Sequence, residues 1–153
     1  MRLNIAKDYI IRRSFEETLS GLDSIVSARF NDLRYSTFGN FISSNPPEYV
    51  FMAKWTSIGR PMMAEMTSTK VYAKLYKFDG KTKITTITKS HPAIIPFFIF
   101  LMVVTLIKLV SYKTVEDLKL SGIFFLLALG TLFFDRFIKN IVISGFETDM
   151  GLK

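Results

Sequence analysis

Few residues in this chain have the types and spacing that chemistry needs. His91 is the single histidine, and a zinc site built on it would require several carboxylate partners. A polar residue at a segment boundary accounts for it. There is no cysteine, which removes disulfides, thiolate metal sites and a thiol nucleophile. Glu16-Glu17 is the one acidic doublet before residue 92, and helix capping explains Glu17. The glycines stand singly, with no GxxxxGK[ST], GxGxxG or GxSxG pattern to cradle a phosphate or present a nucleophile. Asp135-Arg136 closes an apolar run and reads either as an intramembrane functional pair or as a helix leaving the headgroups; the second is expected. This inventory predicts a protein that is not an enzyme, with no catalytic set, no metal and no cofactor. One constellation is left. Tyr49, Phe51 and Trp55, with Tyr72, Tyr76 and Phe78, form aromatic rows on neighbouring strands. They would line an apolar-ligand pocket or, as the blander expectation, pack as core.

The elements that must position these residues fall into three parts. Residues 1–90 read as a soluble α+β domain, residues 91–134 as a transmembrane helical hairpin, and residues 135–153 as an amphipathic, interfacial tail. The hairpin is the clearest. Ala93–Val110 and Leu120–Phe134 are apolar runs separated by SYKTVEDLK, and Lys108 is the one charge inside either run. At 1.5 Å per residue the first run spans about 27 Å, close to a hydrocarbon core of about 30 Å. Ser90 is placed to cap the first helix, with Pro92 in its first turn. Gly122, Ala128 and Gly130 are the small residues expected to let the two helices approach.

In the domain, Leu3–Ile11 predicts a strand. Ser14 and Glu17 form a capping box that starts a helix with the stripe Phe15, Leu19, Leu22, Val26 and Phe30. The period then changes to two. Strands are expected at Tyr35–Ile42, with a bulge or close packing at Gly39, at Tyr49–Trp55, at Val71–Phe78 and at Lys83–Thr88. Asn45-Pro46-Pro47 marks a turn, Ser57–Ser68 an irregular segment, and Asp79-Gly80 a tight hairpin whose two positions can both take positive φ. The fold expected is one helix on an antiparallel β-meander, followed by a two-helix transmembrane hairpin. These internal periods also predict that a chain ending near Lys89 folds alone. In the tail, Ile138, Ile141 and Val142 extend an apolar stripe. Asp135 and Lys139 make a helix-surface pair, and Gly145 is the expected stop.

Charge adds a location. The formal net charge is +7, and residues 1–92 carry 14 Lys/Arg against 8 Asp/Glu. A basic domain beside a bilayer suits anionic lipid, at about 1 kcal/mol per well-placed Lys or Arg. No basic run with interleaved aromatics suggests nucleic acid. Charges interrupt every apolar stretch near the N-terminus, so no signal peptide is expected. Lys81, Lys83, Lys89, Arg136 and Lys139 flank the domain side of the hairpin, against Lys108, Lys113 and Lys119 on the loop side. The positive-inside rule then predicts a two-pass protein of the cell's inner membrane with both termini cytoplasmic.

Several short motifs carry a resemblance: Phe38-Gly39, Tyr49–Trp55, Arg60-Pro61, Val71–Tyr76, Asp79-Gly80-Lys81-Thr82, Ile84–Thr88 and His91-Pro92. Together they resemble a loosely defined group of small uncharacterised bacterial membrane proteins, with a β-rich N-terminal domain followed by a transmembrane helical hairpin. The resemblance implies architecture and brings no activity or ligand. The expected function is a membrane-anchored, non-enzymatic interaction module or accessory subunit, with membrane lipid and a partner protein or a second copy as its contacts. The alternatives are lipid or small apolar ligand binding in the β domain, and an oligomeric channel or pore subunit. Against the last, Thr105, Lys108, Ser121 and Thr131 are scattered rather than aligned on one polar face.

Overall fold

The computed structural model describes residues 4–27, 37–44, 49–55 and 69–152. Phe30, Asn45-Pro46-Pro47, Arg60-Pro61 and the segment 57–68 lie outside the described residues, as do the side chains of Phe38 and Trp55. The element order is β1 (Ile5–Ile11), α1 (Phe15–Ser27), β2 (Thr37–Ser43), β3 (Tyr49–Trp55), β4 (Lys70–Phe78), β5 (Lys81–Lys89), α2 (Ile94–Val110) and α3 (Val115–Asp149). The protein is α+β. Its strands make one antiparallel sheet in the order β1-β5-β4-β3-β2, so β2 to β5 are a meander and β1 closes the far edge.

The chain divides into two compact units, Met1–Ser90 with Lys139–Lys153, and His91–Ile138. In the first, local chemistry sets the elements as the residues predict. Ser14 Oγ accepts from Glu17 N at 3.1 Å while Glu17 Oε2 accepts from Ser14 N at 2.9 Å, so two N–H groups at the start of α1 are satisfied reciprocally. Asp79 and Gly80 take φ values of 46° and 69°, the paired positive φ of a two-residue hairpin between Phe78 and Lys81. Gly39 lies under the Phe51 ring and against the Met52 carbonyl, where an added Cβ would collide with both. The pairing of β2 with β3 shifts between Phe41 and Ser43. The buried stripe of α1 is Thr18, Leu22 and Ile25, while Val26 faces solvent.

Cross-strand register fixes two faces. The inner face carries Ile5, Lys7, Tyr9 and Ile11, then Thr82, Ile84, Thr86 and Thr88, then Val71, Ala73 and Leu75, then Tyr49, Phe51 and Ala53, with Thr37, Gly39 and Phe41 at the edge. Two helical segments cover it. One is α1, whose Thr18 Oγ1 donates to Thr82 Oγ1 at 3.3 Å. The other is the end of α3. Val142, Ile143, Phe146 and Met150 are all buried in this unit. Full burial of such side chains is worth about 1.5–3 kcal/mol each.

This corrects the reading of residues 135–153 as an interfacial tail. An apolar stripe needs a cover, and here the sheet supplies it instead of lipid. It also corrects the domain boundary, since residues 1–90 lack part of their own core. Gly145 does not end the helix, which runs on to Asp149. The stop is at Gly151, with φ 61°. Gly151 N donates to Thr148 O at 3.0 Å and Leu152 N to Glu147 O at 2.8 Å, a Schellman ending that needs the left-handed residue.

In the second unit α2 begins at Ile94, capped by no side chain. His91 shapes the entry: its Nδ1 accepts from Ala93 N at 2.9 Å and its carbonyl from Ile94 N at 3.1 Å. At the start of α3, Thr114 and Asp117 form a second capping box, with Thr114 N and Oγ1 donating to Asp117 Oδ2 at 3.2 and 3.0 Å and Asp117 N donating to Thr114 Oγ1 at 3.3 Å. Ser121 Oγ donates to Thr105 O at 3.3 Å, and Leu101, Thr105, Ser121, Ala128 and Asp135 are buried. Of the small residues, Ala128 is buried, whereas Gly122 and Gly130 face open space. The residues 121, 128 and 135 recur every seven positions, which keeps them on one helix side. Asp135 and Lys139 are each buried, so neither is a helix-surface residue. Among the described residues, one helix, α3, is long and apolar enough to cross a membrane. The apolar α2 has 17 residues.

Candidate functional site

The most concentrated polar chemistry lies on the inner sheet face, where β1 meets the last turns of α3. Glu147 is placed there by the helix, with its side chain 4% exposed. Its Oε1 accepts from Lys7 Nζ and from the Tyr9 hydroxyl, both at 2.5 Å. Lys7 and Tyr9 share the face because they are two apart on one strand, opposite Thr86 and Ile84. Thr86 Oγ1 donates to the Lys7 carbonyl at 3.1 Å. Burial, followed by the hydrogen bond and charge of Glu147, pushes the Tyr9 phenol well above its ordinary ionisation range. Lys7 matches the carboxylate with a charge, and the phenol stays protonated.

Two further ties flank this cluster. Asp149 Oδ2 accepts from Thr37 N at 2.7 Å and Thr37 Oγ1 at 2.6 Å. Arg13 Nη1 donates to the Met150 carbonyl at 3.0 Å. The helix end is thus fastened to β1, to the turn before α1 and to β2. These partners are about 110 to 140 residues apart in sequence, roughly the whole chain. Charge-assisted bonds of this kind are worth about 1.5–3 kcal/mol each. The arrangement holds the chain's two ends together. Among the described residues, no group of three His, Asp or Glu is placed to hold a metal ion.

Of the aromatic residues expected to line a pocket, Tyr49 and Phe51 lie on one face of the sheet and Tyr72 and Tyr76 on the other. Tyr49 and Phe51 are on the inner face, Tyr49 edge-on to Phe15 at 5.1 Å and Phe51 edge-on to Phe41 at 5.3 Å. Phe51 also stacks against Phe146 at 6.3 Å and is fully buried. These contacts make it core. Tyr72 and Tyr76 sit at the alternate positions of β4, on the opposite face of the sheet. Small inward residues, Ala73 among them, leave room for the helices, and the large tyrosines point away. The Trp55 side chain lies outside the described ones.

Residue types and spacing alone missed the Lys7–Tyr9–Glu147 cluster. The available signal was an isolated Glu inside an apolar helical stripe, with Lys and Tyr alternating on β1. Comparison with protein-family models, with curated proteins and with solved structures returned no match.

Proposed function

We propose that this protein is a two-pass membrane protein whose α+β domain is a non-enzymatic interaction module or accessory subunit, binding a partner protein at the membrane face. The observation that carries the reading is that residues from both sides of the apolar segment build one compact unit, Met1–Ser90 with Lys139–Lys153. A chain that enters a bilayer after residue 90 must return before residue 139, so it crosses an even number of times. Two apolar helices lie in between. The 17 residues of α2 span about 26 Å, and α3 up to Ile138 about 36 Å, against a hydrocarbon thickness of about 30 Å. Tilt and local thinning absorb such differences. Phe97, Phe100, Leu126, Phe133, Phe134 and Phe137 are all more than half exposed, an apolar surface that a soluble monomer does not leave in water. The motif resemblance to small bacterial membrane proteins supports the same architecture.

The non-enzymatic part of the reading rests on how the polar side chains are used. Glu147, Asp149, Lys7 and Arg13 hold the helix end in the domain, and Phe51 and Phe146 stack as buried core. The lysine balance around the two apolar runs, five against three, favours both termini on the cytoplasmic side of the inner membrane.

The chain has no cysteine, so single introduced thiols report sidedness cleanly. Cysteine at Tyr112, between the apolar helices, is expected to react with an impermeant reagent in intact cells. Cysteine at Ser20, on the exposed face of α1, is expected to react only after lysis. Labelling of both in intact cells, or of neither, would contradict the two-pass reading. Purification from the native membrane in mild detergent is expected to return a stoichiometric protein partner; a monomer alone would remove the accessory-subunit role.

A further inference from the structure

The two edges of the sheet are built differently. On β2 the pairing with β3 shifts between Phe41 and Ser43, and Gly39 interrupts the row of side chains. Bulges of this kind are one way natural sheets guard an edge against further pairing. β1, at the other edge, has no such device: its residues from Ile5 to Ile11 pair with β5 in unbroken register, and none is proline. The Lys7 carbonyl accepts from Thr86 Oγ1 on β5, so it points across that ladder. Antiparallel alternation then turns the N–H and C=O groups of Ala6, Asp8 and Ile10 to the open side. The side chains there are accessible, Asp8 by 59% and Ile10 by 60%.

Charged side chains are another common guard of an edge strand. The two on β1 are matched within the chain, Lys7 by Glu147 and Asp8 by Lys83 at 3.6 Å. They hold the strand in place and leave its outward backbone groups beside an exposed isoleucine. A second copy of this chain fits that edge poorly. Antiparallel self-pairing centred on Lys7 or on Asp8 sets each charge against its own copy, and centring on Tyr9 sets Lys7 against Ile11 and Asp8 against Ile10. Like charges directly opposite destabilise a sheet, and a charge facing isoleucine gains no cross-strand partner.

We propose that β1 is the docking strand for the partner protein, an extended segment of which adds to the sheet along the open edge through backbone hydrogen bonds; this rests on the reading that the domain binds a partner protein. The segment that fits carries apolar, β-branched residues, to lie beside Ile10 on one face and Ile5, Tyr9 and Ile11 on the other. It also carries a carboxylate to meet Arg12, which is exposed directly after the strand.

The test uses the full chain in detergent and residue-resolved amide hydrogen exchange by NMR. The probe is a nine-residue peptide with the β5 sequence and glutamate in place of each of its lysines. In the free protein the amides of Lys7, Tyr9 and Ile11 are expected to exchange slowly and those of Ala6, Asp8 and Ile10 fast. The peptide is expected to slow the second set several-fold, and the same peptide with its lysines restored to do so far less. A contact through side chains alone would not produce that alternation. I10P removes one outward N–H without touching the β5 ladder, and edge strands tolerate such a proline. It is expected to keep the parent's thermal midpoint, to lose the peptide's effect, and to recover several-fold less partner from the native membrane. I42K, at a 55% exposed position on the opposite edge, is expected to recover as much partner as the parent. Should I10P fail to fold, the exchange pattern of the parent decides alone. Outward amides that stay fast with the peptide, or full partner recovery by I10P, would overturn the proposal. So would outward amides slowed by protein concentration without peptide, which would assign the edge to a second copy. Partner recovered equally by parent and I10P removes this proposal and leaves the accessory-subunit reading standing, whereas a parent that recovers none removes that reading.

Discussion

The two parts of α3 invert the usual relation between hydropathy and burial. Up to Ile138 the helix is rich in Phe and Leu, and Leu126, Phe133, Phe134 and Phe137 are exposed, Phe133 by 76%. From Lys139 onward the large apolar rings thin out, yet Lys139 and Glu147 are buried together with Val142, Ile143 and Phe146. Hydropathy ranks which side chains leave water readily. It does not name the surface that receives them. In the first part Leu126, Phe133, Phe134 and Phe137 stay exposed. The second meets a β-sheet whose lysine and tyrosine satisfy its one deeply buried glutamate.

Removing the second part should have the largest effect. The burial of Val142, Ile143, Phe146 and Met150 amounts to roughly 6–12 kcal/mol as an upper figure, comparable to the entire stability of a domain at about 5–15 kcal/mol. A chain ending at Lys89, or one lacking residues 139–153, is therefore expected to show no cooperative unfolding by circular dichroism and rapid cleavage by protease. Adding a peptide of residues 139–153 to the shortened domain should restore part of the transition. A sharp thermal transition of residues 1–89 alone would break the comparison, because the helix end would then be an accessory rather than a core element.

A smaller perturbation sharpens it. Phe146→Ala is expected to cost about 3–5 kcal/mol, since the ring is fully buried against Phe51. Phe133→Ala removes an equally large ring from the same helix, and is expected to change stability in detergent by less than about 0.5 kcal/mol. Denaturant titration of both variants checks the contrast.

The parts of this fold that could be read from the residues are those decided by neighbours in sequence. Ser14 with Glu17, Asp79 with Gly80, and the alternation in β4 and β5 each specify structure within a few positions. What the residues did not disclose depends on partners far away. The stripe Ile138, Ile141 and Val142 shows that one side of a helix is apolar, and lipid or a sheet could cover it equally well. The aromatic row on β4 was misplaced for a related reason. Both faces of that strand carry apolar residues, so alternation alone does not say whether Tyr72 or Ala73 turns inward. The helices that pack against the small residues decide it. Glu147 was overlooked because its partners, Lys7 and Tyr9, come at the opposite end of the chain.

Next in size is the polar cluster. Glu147→Gln keeps the shape and removes the charge that Lys7 and Tyr9 engage, and is expected to cost about 1–3 kcal/mol. The cluster also predicts an alkaline limit. An unfolded Tyr9 ionises near pH 10, whereas in the fold its phenol holds the proton well above that. Above pH 10 the unfolded chain thus binds fewer protons than the native one, and stability falls as pH rises; below pH 10 the contribution is fully present. The thermal midpoint is expected to drop from pH 10 upward, with the Tyr9 phenol ionising only on unfolding in ultraviolet difference spectra. Tyr9→Phe should flatten that slope. An unchanged slope would mean that another group governs the alkaline transition.

The smallest expected effect compares two capping boxes of the same design, one in each unit. Ser14→Ala leaves the Glu17 N–H without its acceptor and is expected to lower domain stability by about 1 kcal/mol. Thr114→Ala removes the matching bonds at the start of α3, ahead of the apolar run that begins at Leu120. That box is exposed to solvent and belongs to the other unit, so the domain's midpoint should not move. Its signature is electrostatic. The Thr114 hydroxyl, helped by the backbone N–H groups of Lys113 and Thr114, holds the Asp117 carboxyl below its ordinary range. A depressed carboxyl stabilises the capped turn above the unfolded value and gives that up as pH falls through the folded one. In Thr114→Ala the Asp117 titration followed by carboxyl-carbon NMR is expected to shift upward. If it stays where it was, the backbone N–H groups alone hold the charge, and the hydroxyl contributes only to the geometry of the turn.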